Sequence, residues 1–101
     1  MSLPNSAAGL TGRPRDLYFF THPGEWKLWP FLPLVRRPAG GDEELGLLFD
    51  AWGASGRAGH SATVFLCNLF LMPQTLEEFL ELPKEVFDAP EEMADAGWTV
   101  D

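Results

Sequence analysis

The sequence predicts an α+β fold: a small, mostly antiparallel sheet of about three to five strands, with two short C-terminal helices packed on one face. Three observations lead there. Extended apolar runs come first along the chain, and helix start and stop signals gather after residue 73. The run ATVFLCNLFLM at residues 62–72 shows apolar side chains on both of its alternating faces, the pattern of a strand buried on two sides.

The 101 residues fit one domain. A chain of this size buries roughly 60–68% of its unfolded surface, enough for one modest core. Trp26, Trp29, Trp52 and Trp98 bring large buried area per residue and argue against disorder.

Residues 1–15 hold Pro4, Gly9, Gly12 and Pro14 among small side chains and read as a flexible N-terminal arm, leaving residues 16–101 as the single α+β domain. Residues 16–21 (DLYFFT) are rich in β-formers and read as a strand. His22-Pro23-Gly24-Glu25 is a turn signal, after which residues 26–29 resume extended to complete a hairpin. Pro30, Pro33 and Pro38 exclude a helix and remove ladder donors, so residues 30–38 read as an edge strand or polyproline-like segment, not a central strand.

Residues 45–52 (LGLLFDAW) form the next expected strand. A glycine-rich loop over residues 52–60 then joins it, as an antiparallel hairpin, to the central strand over residues 62–72. Thr75-Leu76-Glu77-Glu78 fits a capping box, with Leu76, Phe79, Leu80 and Leu82 as the apolar stripe and Pro83 as the stop. A second helix starts near Asp88, with Pro90 in its first turn and Glu91 and Glu92 favourable to its dipole. Gly97 ends it, and residues 98–100 are extended.

The central strand poses a question of cover. Thr63, Phe65, Cys67, Leu69 and Leu71 share one face; Ala62, Val64, Leu66, Asn68 and Phe70 share the other. Each large apolar side chain gains about 1.5–3 kcal/mol on burial, so neither face suits water. The C-terminal helices cover one face. The other cover comes from residues 30–38, from the N-terminal arm or from another molecule.

Net charge is −8 and unevenly placed. Residues 1–60 carry six acids and six bases, whereas residues 61–101 carry nine acids and one base, Lys84. This disfavours nucleic-acid binding, which requires a basic surface. No apolar stretch reaches the ~20 residues of a membrane helix, and the opening residues lack the apolar run of a secretory signal. One cysteine, Cys67, cannot form an internal disulfide, which suggests a reducing, cytoplasmic setting.

No catalytic, metal or cofactor signature stands out. The loop GASGRAG over residues 53–59 lacks the Lys-Ser/Thr of a phosphate-binding loop and the following helix of a dinucleotide fold. Asp50, Arg57 and His60 border this loop and are the candidate ligand-binding set for a small molecule or anion; an ordinary hairpin loop explains the same residues. Trp26, Trp29, Phe31, Arg36 and Arg37 form an aromatic and basic cluster of the kind enriched at protein interfaces, with plain core packing as the alternative. The leading expectation is a soluble, acidic, non-enzymatic domain that works by protein contact, as a homodimer or with another protein. The competing expectation is a small-molecule or anion-binding domain using residues 53–60.

Overall fold

In the computed structural model, which describes residues 9–50 and 62–101, five antiparallel strands form one sheet of an α+β fold. The strands are β1 (Phe31–Arg36), β2 (Glu44–Phe49), β3 (Thr63–Phe65), β4 (Lys84–Val86) and β5 (Thr99–Val100), in the spatial order β4-β3-β2-β1-β5. Among the described residues three α-helices accompany them: α1 (Gly12–Thr21), α2 (Leu76–Leu80) and α3 (Pro90–Asp95). The loop over residues 53–60 lies outside the described residues, and so does most of the expected arm; α1 begins at Gly12.

Residues 16–21, expected as a strand, belong to α1. Tertiary burial overrides β-propensity here. Asp16 and Phe20 are four residues apart on one helical face, and both are buried. Asp16 accepts hydrogen bonds from the Thr99 hydroxyl at 2.7 Å and the Val100 N–H at 3.0 Å. A helical carboxylate thus closes the outer edge of β5, where an unpaired donor would otherwise remain. Residues 26–29 form no second hairpin strand. The Trp26 indole N–H donates to the Phe19 carbonyl at 2.7 Å, which folds this segment back onto the end of α1.

Residues 30–38 contain β1, which lies inside the sheet between β2 and β5, not at an edge. Of the prolines behind the expected exclusion, Pro33 alone lies within β1. In an antiparallel strand the nitrogen and carbonyl of one residue point the same way. The Pro33 carbonyl accepts from the Asp101 N–H, so its donorless nitrogen faces the β5 side, beyond the Leu34 and Val35 pairings, and breaks no bond to β2.

The expected strand over residues 62–72 shrinks to β3, Thr63–Phe65. Its two-faced burial holds there: Ala62, Thr63, Val64 and Phe65 are all buried. The Phe65 carbonyl then accepts from the Cys67 N–H, a tight turn that ends the strand. β2 and β3 pair antiparallel, as expected.

The helices divide between the two faces instead of sharing one. On the first, α1 and α3 cover Leu32, Leu34, Leu48 and Val64, with Trp26, Met93 and Trp98 filling the layer. Gly46 sits beneath Trp98. A Cβ there would stand 2.6 Å from a Val64 methyl and 3.1 Å from the indole, so only glycine lets the ring lie on the sheet. On the second face, α2 inserts Phe79 among Phe31, Phe49 and Phe65 at ring separations of 5.3, 5.5 and 4.4 Å. The Thr75 hydroxyl accepts from the Glu78 N–H at 3.1 Å, the forward half of the expected capping box. At the end of α3, Gly97 takes φ +97° while its N–H reaches the Ala94 carbonyl and the Trp98 N–H reaches that of Met93. The second cover is therefore supplied from within the chain around Phe79.

Candidate functional site

Beyond Cys67 the chain enters a short 3-10 turn, Leu69–Leu71. Local chemistry dictates it. The Asn68 side chain accepts from the Phe70 N–H at 2.9 Å, and the Asn68 carbonyl accepts from the Leu71 N–H at 2.9 Å. The Cys67 thiol donates to the Asn68 carbonyl at 3.3 Å, and burial raises its pKa. Leu69 and Met72 pack into the Phe79 cluster. The turn is tied down at both ends.

Its two other apolar side chains point outward. Phe70 is 89% exposed and Leu71 is 77% exposed. Beside them lies a groove of about 290 Å³, bordered by Pro33, Leu34, Leu45, Gly46 and Leu47 of the sheet and by Cys67, Asn68, Leu69 and Phe70 of the turn. Asp101 is its charged lining residue. Leu45 is exposed at this border. A large ring and an isobutyl group held in water next to an apolar groove form an anchor and a receptacle on one surface.

A second groove, of about 280 Å³, runs between α1 and β1. Arg15 and Lys27 line it together with Glu25 and Asp101, so its charges balance and select no anion.

The residues singled out in the sequence are dispersed. Trp26 is buried against α1, and Phe31 packs on Phe49 and Phe79; both also border the second groove. Trp29 is half exposed and donates its indole N–H to Asp50 at 2.8 Å, which joins one expected interface residue to one expected ligand residue. Arg57 and His60 lie outside the described residues.

Arg36 faces the α1/α3 side. Its guanidinium spans both Glu85 oxygens at 2.9 and 2.6 Å, reaches Glu44 at 2.7 Å, and lies 4.3 Å from the Trp98 ring centre. The Trp98 indole N–H completes the network on Glu85 at 3.2 Å. This pairing raises the Arg36 pKa and lowers that of Glu85, in each case chiefly through their shared hydrogen bonds. Arg37 remains on the surface, paired with Glu43 at 2.9 Å.

Phe70 and Leu71 did not stand out in the sequence because an eleven-residue apolar run hides them as strand interior. The signal that marks them is Asn68, a turn former placed in the middle of that run.

No protein-family model, curated protein or solved structure matches this chain. Among the described residues no helix is long and apolar enough to cross a membrane.

Proposed function

We propose that this chain is a non-enzymatic protein-contact module that engages a second protein, or a second copy of itself, through the Leu69–Leu71 turn. One observation carries the reading: Phe70 and Leu71 are 89% and 77% exposed on a turn whose backbone is fixed by Asn68 and whose flanking Leu69 and Met72 side chains pack, partly buried, against the Phe79 cluster. Burying such a pair contributes about 1.5–3 kcal/mol for each side chain, and among the described residues no such gain is taken. A fixed backbone also lowers the ordering cost of association. The single, part-buried cysteine supports a reducing compartment such as the cytoplasm.

Site-specific photocrosslinking tests the proposal. Benzoylphenylalanine replaces Phe70 in the full chain expressed in its host, and a parallel chain carries it at the exposed Glu91. The expected result is a discrete covalent adduct from position 70, identified by mass spectrometry as one polypeptide or as a second copy, and none from position 91. Equal, diffuse labelling from both positions contradicts the proposal.

A further inference from the structure

Resting on that contact reading, we infer that the occupant of the Phe70–Leu71 surface is a protein segment with an apolar centre flanked by lysine or arginine. The apolar part follows from the groove, which is lined by Leu45, Leu47, Leu69 and Phe70. At about 290 Å³ it lies at the bottom of the range of roughly 300–1,000 Å³ typical of small-molecule sites, a size that suits an anchoring side chain.

The basic flanks follow from charge. α2 sits on the same face of the sheet through Phe79, and the turn shares that cluster through Leu69 and Met72. This short helix and the residue that caps it expose Glu77, Glu78 and Glu81, while Asp101 stands between this groove and the one lined by Arg15 and Lys27. Of the nine acids among residues 61–101, Glu85 and Asp95 are paired with Arg36 and Arg13 on the α1/α3 side, and the one base, Lys84, has its ammonium 5.7 Å from the Phe65 ring centre. The apolar turn thus shares its face of the sheet with three exposed glutamates against one cation, Lys84.

A second copy fits this setting poorly. A two-fold contact places the same patch opposite itself, so acids meet acids, and each chain already carries a net charge of −8. A neutral apolar segment fills the groove but leaves the carboxylates without partners. A segment with cationic flanks satisfies both and gains association rate from steering.

The test is selection from a library of random displayed peptides against the immobilised full chain. The best peptide is then synthesised and measured by fluorescence anisotropy. Enriched peptides are expected to carry large apolar residues between lysines or arginines. The synthesised peptide is expected to bind roughly tenfold more weakly to the E77Q/E78Q/E81Q chain, to weaken by a similar factor between about 0.05 and 0.5 M salt, and to lose binding to F70S. Enrichment of neutral or acidic peptides, indifference to the glutamine substitutions, or no enrichment at all overturns the inference. The two readings fail separately. A crosslink from position 70 to a second copy keeps the contact reading and removes the basic partner. Basic peptides that bind F70S as well as the unaltered chain remove both.

Discussion

Arg36 holds together more of this molecule than any other polar residue described. It stands on β1, binds Glu44 on β2 and Glu85 on β4, and lies over Trp98 beyond the end of α3. Its side chain is 18% exposed, so its ion pairs are less screened than surface pairs. Arg36→Ala removes charge-assisted bonds and leaves Glu85 without its main partner. The expected cost is about 2–3 kcal/mol in urea-unfolding free energy. Glu85 gives a pH signature. A carboxylate whose folded-state pKa is depressed stabilises the fold above its unfolded value and loses that contribution as pH falls through the folded value. The difference in unfolding free energy between the unaltered chain and Glu85→Gln is therefore expected to be constant above pH 4.5 and to close below it. A gap that persists to the lowest accessible pH would show that the Arg36 bonds do not depress this group. Gly46 supplies the steric counterpart. Gly46→Ala drives a methyl into Val64 and the Trp98 ring, with an expected loss of about 1–3 kcal/mol by the same measurement.

At the scale of elements, Asp16 ties α1 to β5. Without its carboxylate the Val100 N–H loses its acceptor at the sheet edge and the Thr99 hydroxyl loses its partner. Asp16→Ala is expected to cost about 1–3 kcal/mol and to speed amide hydrogen exchange at Val100 while β2 and β3 keep their protection. Uniform loss across the sheet would mean that α1 is not a separable support. This tie also explains why α1 was hidden in the sequence. DLYFFT is β-rich by composition, and the signal for helix was the spacing of Asp16 and Phe20, whose value depends on a strand more than eighty residues away. Elements set by local chemistry were legible: β2, the Thr75 cap of α2, Pro83 as its stop, and the Gly97 end of α3. Elements set by distant contacts were not. Pro33 reads as a strand breaker until the side its nitrogen faces is known. The break after Phe65 depends on one turn bond and one asparagine inside an apolar run. The same asparagine sets the candidate site, so the site was hidden for the same reason.

For the whole molecule, the sheet has apolar cover on both faces, and the α1/α3 layer and the Phe79 cluster account for nearly all the buried apolar side chains described. Phe70 and Leu71 stand outside both. Their apolar area is available for contact and contributes little to folding, whereas the adjacent Leu69 is partly buried against the Phe79 cluster. The unfolding free energy of the F70S/L71S chain, measured by urea titration beside the unaltered chain and L69S, tests this division most directly. The predicted result is a change within about 0.5 kcal/mol for the double substitution, as at an ordinary surface site, and a clear loss for L69S. A loss of about 2 kcal/mol or more in the F70S/L71S chain would place these side chains in the core and contradict their role as a contact surface.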